Sequence, residues 1–280
     1  MREITIDTPQ GIGDLIWVYR KLSLYYDKIN INVLVVGHNE VQERSRNFLS
    51  TLDMVGKVNF KKVTGKEYGR VASGFYKMEE IKNEYSVNAW LEKGIHIDDI
   101  DKFQVNWNIN LKLGSLNISK EYVLLYVSGC NHNSTNYQMS SNMWADIVLS
   151  VCKKIDTYNC ILIGAQYDEK KLVEINNIIK DKLNTNVISK ASIQDTTKII
   201  SEAKYFISYQ SGLCVIAEEL NIPTLMIYFP ENKNLINSWN RKENINRNLF
   251  CNHFFGEPVE TIIESTKKHI DSFCGVCNVN

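Results

Sequence analysis

The chain reads as an α/β protein with two parallel-sheet domains, and three observations lead there. Short apolar, β-branched runs alternate with amphipathic helical runs in two separate blocks. A stretch of weak signal, residues 65–116, lies between the blocks. In each block a strand runs into a glycine-bearing turn that opens a helix, as at Asp7–Leu15 and Tyr205–Leu213. This pattern fits two Rossmann-like domains facing a cleft formed by the carboxyl edges of their sheets. At 280 residues the chain is long enough for both, each with its own core.

The first block opens with a strand at Glu3–Asp7. The turn Thr8-Pro9-Gln10-Gly11-Ile12-Gly13-Asp14 follows, then a helix from Leu15 to Tyr26. Leu15, Ile16, Val18, Tyr19 and Leu22 give that helix its apolar face. Ile31–Val36 is the next strand and ends at Gly37-His38. Glu40–Leu49 reads as a helix and Lys57–Val63 as a weaker strand. The order βαβαβ implies parallel strands with right-handed crossovers. Tyr85–Leu91 is the only helical run picked out in the weak stretch. The first domain is placed at 1–116 and the second at 117–257. A terminal helical segment, 258–280, is free to pack back on the first domain.

The second block begins with a strand at Tyr122–Val127 and a Ser- and Asn-rich loop to Ser141. A helix at Asn142–Lys154 leads to a strand at Asn159–Ile163, which ends at Gly164-Ala165. Then come a helix at Asp168–Leu183, a short strand at Asn186–Ser189 and a helix at Ser192–Glu202. Tyr205–Tyr209 is aromatic and β-branched, as a buried strand should be. Gln210-Ser211-Gly212 makes the turn, and Leu213, Ile216, Ala217 and Leu220 recur at helical spacing. Asn221 and Pro223 end that helix, and Thr224–Phe229 is another apolar strand. Glu231–Arg247 is polar and reads as irregular or partly helical. Pro258–Phe273 is amphipathic, with Pro at its start.

Bulk properties narrow the function. Hydrophobic content of 44% and charged content of 23% are those of a soluble globular protein. Lys plus Arg and Asp plus Glu number 32 each, so the formal net charge is zero. Nothing draws the chain as a whole to nucleic acid or an anionic membrane. No run has the length of a membrane span, and no signal peptide precedes the first strand. The seven cysteines, several in apolar runs (Cys152, Cys160, Cys214), suit reduced thiols and a cytoplasmic location.

A helix that starts just after a parallel strand aims its free N–H groups at the sheet's carboxyl edge, where an anion such as a diphosphate is favoured. The turn at Gln210, Ser211 and Gly212 is such a place, although an ordinary crossover looks the same. Ser128 and Gly129 follow the first strand of the second domain, and Gly164 ends the next one, so these also belong to that edge. Gly11, Gly13 and His38 stand at the corresponding edge of the first domain, as does Asp14, which by position alone is a helix-capping carboxylate. Glu218 and Glu219 lie off the apolar stripe of their helix, where glutamates are ordinarily solvated; Glu218 is retained as a candidate to accept ribose hydroxyls. Cys251, His253, Cys274 and Cys277 could supply four zinc ligands, but a single C-x-x-C at a chain end is weak spacing for a metal site.

The order of elements and two local motifs resemble the glycosyltransferases of GT-B architecture, specifically the family-9 group that includes lipopolysaccharide heptosyltransferases. Gly13-Asp14-Leu15-Ile16 matches the family's first βα turn. Gln210-Ser211-Gly212-Leu213-Cys214-Val215, with Pro223 beyond it, matches its donor motif, and Trp144 matches a family Trp. Gln210 stands where the family usually has Asp, Val215 where it has His, and the loop lysine before the Trp is absent. The resemblance implies an inverting transfer of a sugar from a nucleotide-sugar donor to a glycan or other hydroxyl acceptor. It implies Asp14 as the base. Ser211 and Gly212, at their helix start, can hold the donor diphosphate through backbone N–H groups and the Ser hydroxyl, and with the helix dipole and nearby cations stabilising that charge no metal or other cofactor is needed. Hexosyl, heptosyl and pentosyl donors all stay open. The rival functions are transfer to a hydroxylated base in DNA, which zero net charge disfavours, a nucleotide-sugar epimerase or hydrolase, and a non-catalytic sugar-nucleotide-binding module.

Overall fold

The computed structural model describes residues 3–22, 30–37, 41–53, 57–70, 110–115, 121–128, 139–228 and 249–274. The helix expected at Tyr85–Leu91 and the segment Glu231–Arg247 lie outside them. The chain divides into two compact units, Met1–Leu113 with Asn234–Glu243, and Gly114–Lys233 with Asn244–Asn280.

In the first unit, β1 (Glu3–Pro9), β2 (Asn30–Gly37) and β3 (Lys57–Lys62) form a parallel sheet in that order. The helices α1 (Ile12–Leu22) and α2 (Val41–Leu49) are the crossovers. Leu15, Ile16 and Tyr19 of α1 are buried, as are Val33 and Val35 of β2 and Phe48 and Leu49 of α2. The weak hydrophobic pattern of β3 has a local reason: only Val58 and Phe60 are partly covered, and the Arg46 guanidinium lies 3.9 Å from the centre of the Phe60 ring.

The second unit holds a six-stranded, all-parallel sheet. Its strands are β4 (Tyr122–Tyr126), β5 (Asn159–Ile163), β6 (Asn184–Ile188), β7 (Tyr205–Tyr209), β8 (Thr224–Tyr228) and β9 (Phe250–Phe254), in the spatial order β6-β5-β4-β7-β8-β9. The connecting helices are α3 (Ser141–Lys154), α4 (Glu169–Ile179), α5 (Ile193–Ser201) and α6 (Gly212–Glu219), and α7 (Val259–Cys274) closes the chain. One face of the sheet presents Val123, Leu125, Tyr205, Ile207 and Leu225 to α3, α4 and α7. On the other face the Tyr122 hydroxyl donates to the Ile199 carbonyl of α5 at 2.5 Å. Helix α7 packs on α3 and buries Ile262 and Ile270 in the core of this unit. Strand β9 was not expected. It alternates Cys251 and His253 inward with Phe250, Asn252 and Phe254, a pattern too polar to register as a strand from sequence.

Candidate functional site

In the first unit, the chain leaves β1 at Pro9 and enters α1 at Ile12. The carboxyl edge of the sheet therefore carries Gln10, Gly11, Gly13 and Asp14. Asp14 lies in the first turn of α1, is 7% exposed, and folds back over Gly11. A Cβ on Gly11 would come within 2.5 Å of Asp14 Oδ2, so glycine there leaves room for the carboxylate. The Tyr68 hydroxyl, on the short helical stretch 65–70 after β3, shares this environment. Burial first, and the Asp14 carboxylate second, push the Tyr68 phenol up to about 12, so it stays protonated at neutral pH. Tyr68 was missed from sequence. Its signal was positional: it follows the carboxyl end of a parallel strand. His38 lies outside the described residues.

In the second unit the strand order reverses at the β4–β7 pair. The chain builds outward from β4 to β5 and β6, then crosses to β7 and builds the other way to β8 and β9. Loops on either side of such a reversal diverge and leave a crevice at the carboxyl edge, which is where open α/β sheets bind ligands. Ser128 follows β4, and Gln210, Ser211 and Gly212 follow β7, so the structure brings these candidates to one switch point. Gln210 is buried, and its N–H donates to the Ile227 carbonyl at 2.9 Å.

Three helices of this unit begin after a serine, and α6 differs from the other two. Ser140 accepts from the Met143 N–H at the start of α3, and Ser192 accepts from the Asp195 N–H at the start of α5. Ser211 makes no such cap. Its hydroxyl lies 3.5 Å from Ser208 Oγ and 3.8 Å from Cys214 Sγ. The leading amides of α6 are thus not closed off by their own serine, and the dipole favours an anion there. Nearby, the Tyr209 hydroxyl accepts from the Met139 N–H at 2.6 Å, and its ring meets Trp144 edge-on at 4.9 Å. Trp144 is fully buried, so it braces the edge from beneath.

Ser128 is buried, and its hydroxyl donates to the Tyr167 hydroxyl at 3.2 Å. Tyr167 sits on the 3-10 turn Gln166–Asp168 after β5 and is 59% exposed. It was also missed from sequence. Gly164 has a packing reason to be glycine: a Cβ there would meet the Asp168 Cβ at 2.8 Å, while Asp168 Oδ2 accepts from the Ala165 N–H. Gly129 lies outside the described residues.

The expected solvated position of Glu218 needs correction. Every residue of α6 from Leu213 to Glu218 is buried, because the helix is covered on more than its sheet side. Glu218 stands in the last turn, about 9 Å along the axis from Gly212 by helical rise, at the end away from the carboxyl edge. The four zinc candidates are not gathered either, as far as they are described. His253 Nδ1 pairs with the Glu257 carboxylate at 2.6 Å, and Cys251 lies 4.0 Å from the Thr266 hydroxyl. The Cys274 and Cys277 side chains lie outside the described residues. Among the described residues, no three His, Cys, Asp or Glu side chains converge as metal ligands. No described helix is long and apolar enough to cross a membrane.

Residues 93–258 match the family model described as glycosyltransferase family 9 (heptosyltransferase). Among solved structures, E. coli ADP-heptose lipopolysaccharide heptosyltransferase II is similar at a TM-score of 0.61 and 12% identity, over 96% of this chain and 98% of that one. The E. coli heptosyltransferase WaaC with ADP gives a TM-score of 0.59 at 12% identity, over 98% and 99% of the two chains. A UDP-GlcNAc 2-epimerase from Methanocaldococcus jannaschii gives 0.50 at 12% identity, over 95% and 92%. At these identities the likeness is one of fold. No curated protein sequence matches the chain.

Proposed function

The chain belongs to glycosyltransferase family 9, and on that premise we propose that it moves a sugar from a nucleotide-sugar donor to a hydroxyl acceptor in one in-line, inverting displacement. The observation that carries the reading is the reversal of strand order between β4 and β7, with the uncapped start of α6 beside it. A nucleoside diphosphate laid on that edge meets the α6 amides and the Ser211 and Ser128 hydroxyls. The exposed Tyr167 ring, tied to Ser128, offers its face to the base.

Asp14 takes the acceptor's hydroxyl proton. The oxygen's electron pair then forms the bond to the anomeric carbon. The bond from that carbon to the diphosphate oxygen breaks, and its electron pair departs on the nucleoside diphosphate, where the α6 dipole stabilises the growing charge. This division of labour asks nothing of a metal ion, so transfer is expected to survive a chelator. Loss of activity in EDTA, restored by a divalent cation, would overturn that part.

The test is thermal shift with a panel of nucleotide sugars that includes ADP-heptose and UDP-sugars, followed by mass spectrometry of products. A ligand at a hundred times its Kd adds about 2.7 kcal/mol to the native state, which a melt reads easily. No shift from any nucleotide sugar defeats the proposal. The epimerase fold match supports a second reading: conversion of the donor sugar with no acceptor present would identify an epimerase instead.

A further inference from the structure

The Gln10 side chain is buried at the carboxyl edge of the first sheet, and its Oε1 has no hydrogen-bond partner among the described residues. A buried amide oxygen without a partner is costly, so such a group calls for a ligand, a water or another explanation. Its position is not accidental packing. The carboxamide lies over the Cα of Gly37, the last residue of β2, so closely that a Cβ there would fall 1.8 Å from Oε1. The backbone beneath is anchored as well: the Ser45 hydroxyl of α2 donates to the Gln10 carbonyl at 2.6 Å. Next along the chain, Gly11 provides the same kind of opening for Asp14 Oδ2. One turn thus carries two polar ends, each resting on a glycine, four residues apart.

We propose that Gln10 and Asp14 form an acceptor subsite for a sugar diol, in which the Gln10 carboxamide hydrogen-bonds the hydroxyl adjacent to the one Asp14 deprotonates. The proposal rests on the transferase reading for the role of Asp14, but Gln10 is assigned from its own geometry. A hydroxyl suits the carboxamide whichever end faces it, since a hydroxyl both donates and accepts. An acceptor with an isolated alcohol would leave the amide unmatched. The subsite therefore selects a glycan with neighbouring hydroxyls.

The test uses the full-length protein and saturation-transfer NMR with methyl hexosides, methyl heptosides and their monodeoxy counterparts. It needs neither the natural acceptor nor turnover. Wild type is expected to bind at least one parent glycoside and to bind one of its monodeoxy forms roughly tenfold more weakly, the loss of a single hydrogen bond to a buried group. In Gln10→Met that difference disappears, with the parent binding as weakly as the deoxy form. Gly37→Ala, whose methyl takes the place of the carboxamide, is expected to behave alike, and it decides the matter if Gln10→Met folds poorly. Either variant retaining wild-type discrimination, or no glycoside binding to wild type at all, overturns the diol subsite. The donor side is read separately by thermal shift with ADP-heptose and UDP-sugars. Glycoside discrimination without any donor shift sinks the transferase reading and leaves the subsite as a glycan-binding one.

Discussion

Asp14 is placed for two jobs, and their sizes differ enough to separate them. A carboxylate in the first turn of a helix contributes about 0.3–1 kcal/mol through the dipole, whereas a general base contributes roughly 10²–10⁴ in rate. Asp14→Asn is expected to melt within a few degrees of wild type and to lose transfer by at least a hundredfold, as checked by calorimetry and product formation. Turnover near wild type would leave only the capping role. Tyr167 makes a complementary prediction for the donor. Tyr167→Ala is expected to raise the nucleoside diphosphate Kd about tenfold, the low end of base–aromatic stacking, with little effect on stability because the ring is largely exposed. An unchanged Kd by calorimetric titration would remove the ring from the donor site. Gln10, Tyr68 and Tyr167 were not legible as site residues, because each is marked only by standing just past a parallel strand. Asp14, Ser211 and Gly212 were legible because a turn residue, a glycine and a helix start coincide there.

At the scale of elements, the serine-led helices predict opposite outcomes for one substitution. Ser140 caps α3 through the Met143 N–H at 3.1 Å, so Ser140→Ala is expected to cost about 1 kcal/mol and leave donor affinity alone. Ser211 caps nothing, so Ser211→Ala is expected to cost less in a denaturant melt and to weaken donor binding. The reverse pattern would show that α6 starts like any other helix. The alternation of helices and strands was readable because buried parallel strands such as Tyr205–Tyr209 are continuous apolar runs. Strand β9 was not, since its Asn252 and His253 break the run. The side of α6 that carries Glu218 was misread because periodicity identifies the apolar face of a helix but not whether another element covers the rest.

For the molecule as a whole, the described tyrosines set an alkaline limit. Tyr122, Tyr205, Tyr209 and Tyr228 of the second unit are all buried. Burial is the leading cause that raises each phenol above its usual value, to about 12 for Tyr209, with Tyr122, Tyr205 and Tyr228 raised for the same reason. In the unfolded chain these groups ionise near 10. A raised folded value gives stability that is complete below pH 10 and lost as pH climbs past it, by up to about 1.4 kcal/mol per pH unit for each phenol. Melting temperature should hold steady from pH 7 to about 9.5 and then fall steeply, and a flat profile to pH 11 would contradict the burial of these rings. At the acid end, burial pushes the Glu257 carboxyl up. The hydrogen bonds it accepts from His253 and the Phe254 N–H outweigh that and leave it below the ordinary glutamate value. Its support is therefore present above about pH 4.5 and fades as pH drops further.

The reversal of strand order has a further consequence for the newborn chain on the ribosome. Ser128 emerges early, but its counterparts at Gln210–Gly212 follow only after β5, β6 and the three helices α3, α4 and α5 have been made. Helix α7, which packs on the early α3, is translated after every strand of this sheet. A nucleotide therefore has nothing complete to grasp on this sheet until β7 and the start of α6 have been made.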